Sequence, residues 1–189
     1  MMVASYSKIF KSIGENSLSN KTEAFITNGE SLIEEIAEEM KKDGTIADFT
    51  ALSVPSVLQW LLIRAKTIHE KNMEVFGKNS GYSDHVRHYL SLSAYYLGES
   101  FVRTSNSISW KIKDDAPLVS GFKFGFMMSP VDEVNSVFRH ILRASETERE
   151  SNQSRISSIF KTTLKKLMPK QKDSMQSIDE LLVNWLVKI

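Results

Sequence analysis

The sequence contains no cysteine. That absence excludes disulfide bonds, thiolate zinc sites and cysteine nucleophiles, and it suits a reducing cytoplasm, the compartment expected for this chain. Net charge is nearly absent too. The 24 Lys and Arg against 23 Asp and Glu leave +1, which argues against a general nucleic-acid binder and against an acidic nucleic-acid mimic. A whole-chain balance is nevertheless blind to a local patch. Long apolar runs are missing: the longest, Val57 to Ala65, is interrupted by Gln59 and Arg64 and is far shorter than the ~20 residues of a membrane span. The opening MMVASYSKIFKSIGENS spaces Tyr6, Ile9, Phe10 and Ile13 as a helix would, so no secretory signal is expected there.

Signatures of catalysis are also lacking. The chain has no G-x-S-x-G elbow, no S-x-x-K set, no G-x-x-x-x-G-K-[ST] loop and no glycine-rich turn after the strand of a βαβ unit. The expectation is a protein without catalytic residues or cofactor. What the chain does have is a hydrophobic content of 41% over 189 residues, enough for one ordinary domain with a sizeable core. The acidic run SETERESNQ marks an internal boundary: a helical and hairpin core over 1–145, then a helical segment over 146–189 packed on the same domain.

Most of the chain carries helical periodicity. SLIEEIAEEMKKDG places Leu32, Ile33, Ile36, Ala37 and Met40 on one face, with Glu34, Glu35, Glu38 and Glu39 on the other and Gly44 as a stop. Those glutamates read as a solvated face, because metal-binding bundles need Glu-x-x-His partners on facing helices. SVPSVLQWLLIRAKTIHEKNMEVFG follows, with Ser53 or Ser56 as cap, Pro55 in the first turn, and a stripe of Leu58, Leu61, Leu62, Ala65, Ile68, Met73 and Phe76. It is expected to be the central helix. A third helix begins near Ser83 or Asp84 and carries a second stripe of small residues, Ser91, Ala94, Gly98 and Val102. Such a row lets another backbone approach closely, which explains a glycine costing roughly 1 kcal/mol against alanine.

The period then changes from 3.6 to 2. Ile108, Trp110 and Ile112 alternate with polar residues, and Phe122, Phe124, Phe126 and Met128 alternate further on. Two strands, Ser107–Ile112 and Leu118–Met128, are expected, joined by a turn using Asp114, Asp115 and Pro117. SPVDEVNSVFRHIL starts another helix, with Ser129 as cap and Pro130 at the first position. The fold class is therefore α+β and mostly helical, with a small antiparallel hairpin over about 107–128 packed against long helices.

Few side chains suggest a site. His85 and His88 are spaced i, i+3, with Val86 where a zinc-protease helix would place its glutamate, and His69 lies on the apolar stripe of the second helix. Surface or satisfied histidines account for them better than a metal centre, and no metal is expected. Glu99 and Arg103 are spaced i, i+4 in the favourable order. They read either as a surface ion pair or as an anchor between helix and hairpin, structural in both cases. Arg155, Lys161, Lys165, Lys166, Lys170 and Lys172 surround an apolar stripe. Solvated lysines on a core-packed helix are the first reading, and a surface for nucleic acid or anionic membrane over 155–172 is the alternative. Two strands alone are marginal. Phe122 and Phe124 are thus core residues under the long helices or, where left open, part of a protein-binding surface. Lys161, Lys165, Lys166, Phe122 and Phe124 are the candidate partner-binding residues.

Tyr96, Leu97, Gly98 and Glu99, followed by Arg103, Trp110, Pro117 and Pro130, form an order similar to that of a loose group of small bacterial domains, some of which resemble immunity proteins encoded beside secreted toxins. The likeness covers roughly Tyr89 to Leu142. It departs from the group at Ser107, Ile108 and Ser109, where glycines precede the tryptophan, and it offers no counterpart for the tail after Ser145. It implies a non-catalytic protein that binds another protein, such as a cognate toxin, and it transfers no active site. No specific nucleic-acid partner and no transmembrane segment are expected.

Overall fold

A computed structural model of the chain describes residues 18–50, 53–77, 81–103, 106–122 and 127–143. The expected segment 146–189, with Lys161, Lys165, Lys166 and the rest of the basic stretch, lies outside the described residues, and so does Phe124. Among the described residues, four helices and a three-stranded antiparallel sheet make a mostly helical α+β fold. They are α1 (Leu18–Lys42), α2 (Val54–Phe76), α3 (Asp84–Val102), β1 (Ser109–Lys113), β2 (Ala116–Ser120), β3 (Met127–Met128) and α4 (Pro130–Arg143).

Each helix boundary has a local cause. Helix α1 buries Ile33, Ile36 and Met40 and leaves its glutamates exposed. It ends at Gly44, whose φ of +77° is strain-free only for glycine. The Gly44 N–H donates to the Lys41 carbonyl at 3.0 Å and the Thr45 N–H to the Met40 carbonyl at 2.8 Å, the paired bonds that satisfy a helix C-terminus. Ser83 caps α3, its hydroxyl accepting from the Val86 N–H at 3.4 Å and from the Asn72 amide at 2.8 Å. Ser129 does the same for α4 through the Asp132 N–H, with Pro130 in the first position. Ser53 occupies the cap position of α2, but its hydroxyl does not cap the helix. It donates to the Thr50 carbonyl at 2.9 Å and meets the Tyr96 hydroxyl at 2.6 Å.

Among the described residues the most enclosed helix is α3, whereas the sequence points to α2. Nearly every residue from Leu92 to Phe101 is buried, because α3 packs against α1, α2, α4 and two strands. Its serines are buried without loss: the Ser93 and Ser100 hydroxyls donate to carbonyls one turn back, Tyr89 at 2.8 Å and Tyr96 at 2.7 Å. The apolar stripe of α2 serves the core from Val54 to His69 and then leaves it, so that Phe76 is 75% exposed.

The sheet corrects the expected hairpin. Strands β1 and β2 pair from Ser109↔Ser120 to Lys113↔Ala116, leaving a two-residue turn in which Asp114 and Asp115 have φ of 51° and 59°. Positive φ at both positions makes a type I′ turn, which aspartate tolerates and which matches strand twist. Pro117 is not in the turn but opposite Ile112 within β2. There, one residue past the hydrogen-bonded pair that closes such a turn, its missing N–H would face away from β1, and β3 pairs only with Val119 and Ser120. The expected second strand, Leu118–Met128, is two. Gly121, at φ +103°, turns the chain against the Ser107 carbonyl, where any side chain would collide. Met127 and Met128 then return antiparallel to β2. Ile108 is buried just ahead of β1, whereas Ile112 is 38% exposed.

Candidate functional site

Two constellations on α3 are candidates. The first surrounds its C-terminal end. Trp110 of β1 lays its indole over Gly98, where a β-carbon would overlap the ring, and Tyr95 lays its ring over Gly29 of α1 in the same way. The two rings stack at 6.0 Å with their planes 10° apart, and Phe25 meets each edge-on at 5.9 Å. The Trp110 Nε1–H donates to Glu99 Oε2 at 2.9 Å. Arg103 then donates through Nε to Glu99 Oε1 at 2.9 Å and through Nη2 to Glu30 Oε1 at 2.7 Å. Its guanidinium also sits 4.1 Å from the centre of the Phe49 ring.

This arrangement is a lock, and its electrostatics agree. Burial works against the charge on Arg103, but the bonds to Glu99 and Glu30 outweigh it and raise its pKa. Burial, and then the charges of Glu99 and Glu30, push the Tyr95 hydroxyl up to about 12. Phe49 holds a left-handed φ of 57°, a strained conformation for a bulky residue. Its N–H donates to the Tyr96 hydroxyl at 2.8 Å, and its ring stacks on Tyr96 at 4.6 Å. Glu99 thus has a donor at both oxygens. It anchors α3 to the sheet.

The second constellation is an open groove of about 540 Å³ between α3 and α4. Leu90, Ala94 and Val131 supply its apolar floor, and Arg87, Ser91, Asp132, Asn135 and Arg139 its polar walls. Tyr82, just before the Ser83 cap, meets Phe138 late in α4 with ring centres 5.5 Å apart. Val131, Asp132 and Arg139 of α4 line the same groove as Arg87, Ser91 and Ala94 of α3.

Ion pairing separates these arginines from Arg64 and Arg103. Arg64 bridges Glu39 at 2.8 Å and Asp43 at 3.2 Å, and Arg103 bridges Glu30 and Glu99. Among the described residues Arg87 and Arg139 have no carboxylate within 4 Å; Arg139 spends only its Nε–H, on the Asn135 carbonyl of its own helix at 3.2 Å.

Of the other anticipated residues, Phe122 and three histidines lie within the described part of the chain. Phe122 is buried and packs edge-on against Phe101 at 5.7 Å. His85 is exposed, and His88 is half-buried beside Tyr89; burial, and then the neighbouring His85, lower the pKa of His88. His69 is buried edge-on to Tyr82 at 5.2 Å. Among the described residues no group of three His, Asp or Glu side chains is placed to hold a metal ion, and no helix is long and apolar enough to cross a membrane. Sequence reasoning missed Arg87 and Arg139. The available signal was Arg87 one turn ahead of Ser91, at the head of the small-residue stripe.

Compared with known proteins, the chain matches no family model, no curated protein and no solved structure.

Proposed function

We propose that this chain is a non-catalytic, cytoplasmic protein that binds another protein through the groove between α3 and α4. The observation that carries this reading is the contrast in arginine pairing: two arginines hold the fold with two carboxylates each, while Arg87 and Arg139 line an open groove unpaired among the described residues. Arginine beside an apolar floor is a common anchor of protein interfaces. The order Tyr96-Leu97-Gly98-Glu99, Arg103, Trp110 supports a particular form of this reading, in which this chain is an immunity-type inhibitor and its partner a bacterial toxin.

The test is site-specific cross-linking. A photo-reactive residue at Ser91, which is exposed in the groove, is activated in the native host, with the same residue at exposed Glu74 as control. One discrete protein adduct from position 91 and none from position 74 is expected. Adducts with lipid or nucleic acid alone, or equal labelling from both positions, would overturn the proposal.

A further inference from the structure

Of the sheet's two edges, β3 offers two residues and β1 five. Strand β1 pairs with β2 alone among the described residues, and Ser109, Lys111, Ile112 and Lys113 are exposed along it. The type I′ turn decides which backbone groups this edge presents. Its flanking residues, Lys113 and Ala116, exchange both hydrogen bonds, and bonded pairs then alternate with open ones along the ladder. Lys113, Lys111 and Ser109 therefore spend their backbone groups on β2, whereas the N–H and C=O of Trp110 and Ile112 point away from it. Pro117, opposite Ile112, fits that alternation. No hydrogen bond from another described residue outside the sheet reaches the backbone of Trp110 or Ile112. Side chains alternate as well. The Trp110 indole turns inward over Gly98, so Ile112 shares that face and Lys111 and Lys113 project from the other. Ile112 is left 38% exposed, and neither lysine has an ion pair among the described residues.

Such an edge is a template for another strand. A second copy of β1 suits it badly. Paired antiparallel about its middle, Lys111 would stand directly opposite Lys111, and like charges facing each other across a ladder repel. We infer that β1 accepts an extended acidic segment of a partner protein as an added strand, with carboxylates beside Lys111 and Lys113 and a branched apolar side chain beside Ile112. The exposed Asp114 and Asp115 set the register, because a segment slipped toward the turn would bring its carboxylates against theirs. The lysines thus select as well as attract, rejecting a copy of the same strand and a basic one. This edge shares no residue with the groove between α3 and α4, so the two surfaces are tested apart.

A capped peptide alternating glutamate and valine, matched in length to β1, serves as the probe. Binding is read in isotope-labelled full-length protein by amide shifts and by hydrogen exchange. The expected mark is alternate: the backbone amides of Trp110 and Ile112 gain protection, whereas those of Lys111 and Lys113, already bonded to β2, change little. Lys111→Glu with Lys113→Glu should weaken the acidic peptide roughly tenfold, as two cross-strand charge pairs turn from attraction to repulsion. The same variant should take up a lysine–valine peptide that the native protein rejects. Ile112→Pro removes one outward N–H and leaves the ladder to β2 intact, so the fold should survive and the peptide should no longer bind. The charge-reversed variant decides the matter even where the proline variant does not fold. Equal binding of a peptide with the same glutamates gathered at one end, or protection that does not alternate, would overturn the inference. Concentration-dependent protection of Trp110 and Ile112 without peptide would overturn it in favour of a second copy.

Discussion

Toward its C-terminal end α3 carries Gly98, Glu99 and Arg103 beneath the Trp110 indole; toward its N-terminal end it carries Arg87, Ser91 and Ala94 along an open groove. The same stripe of small residues runs through both. At Gly98 the space is filled by a ring from the sheet, and Glu99, Arg103 and Glu30 are joined by ion pairs. At Ser91 the side chain is left exposed by the described residues, and Arg87, Arg139 and Asp132 have no ion pair among them. Small residues on a helix therefore mean different things according to what faces them, and the pairing of the adjacent charges tells the two cases apart.

The sharpest way to break this contrast is to remove the filling at the closed end. Trp110→Ala strips the indole from Gly98, Tyr95 and Phe25 and takes the donor from Glu99, and should cost about 3 kcal/mol of stability. Urea denaturation checks this, with an unchanged slope expected if the sheet stays in place. Gly98→Ala attacks the same contact from the helix side. Overpacking costs roughly 1–3 kcal/mol and the better helix former returns up to ~1 kcal/mol, so a net loss of about 1 kcal/mol is expected. A gain in stability would show that the indole moves aside freely and that the lock is loose.

A pH titration sharpens the comparison without adding or removing bulk. The Tyr95 hydroxyl has a native pKa raised from 10.0 to about 12. The neutral phenol is thus favoured in the folded state, and its contribution is fully present below pH 10. As pH rises from 10 toward 12 the unfolded chain releases this proton first, so stability falls across that window. Tyr95→Phe should flatten that part of the profile. An identical fall in the variant would assign the loss to other groups and leave the closed end electrostatically ordinary.

How much of this was legible beforehand varies with the kind of signal. The capping serines Ser83 and Ser129, the stop at Gly44 and the turn aspartates Asp114 and Asp115 are local signals, decided by residues adjacent in the chain, and the structure follows them. The anchor reading of Glu99 is also met, since the i, i+4 pair with Arg103 and the proximity of Trp110 were both visible in the sequence. The split of the second strand was not legible, because the alternating phenylalanines continue through Gly121 and only contact with the Ser107 carbonyl shows that the chain turns there. Nor was the central place of α3. Its hydroxyl groups lower its apparent hydrophobicity, and their bonding to carbonyls one turn back becomes evident only in the helix. Glu30 entered the lock from a distant part of the chain, 73 residues from Arg103, and no spacing rule reaches that far.

The smallest expected effect on stability is the most informative about function. Ser91→Trp adds, to the same stripe, bulk far larger than the methyl group that Gly98→Ala introduces, yet position 91 is exposed and faces the groove. A surface substitution away from packed contacts usually stays within about ±0.5 kcal/mol, so the urea midpoint should barely move. The new indole would occupy the groove at position 91 while leaving Arg87 and Arg139 unchanged. Capture of the partner protein from a photo-reactive residue at Asn135, another groove-lining position, should therefore drop at least tenfold with no change in fold. If Ser91→Trp instead destabilises the protein as much as Gly98→Ala, the groove is packed in solution, and the two ends of α3 are alike after all. If stability and binding are both unchanged, the arginines act as an exposed charge patch and the apolar floor has no part in recognition.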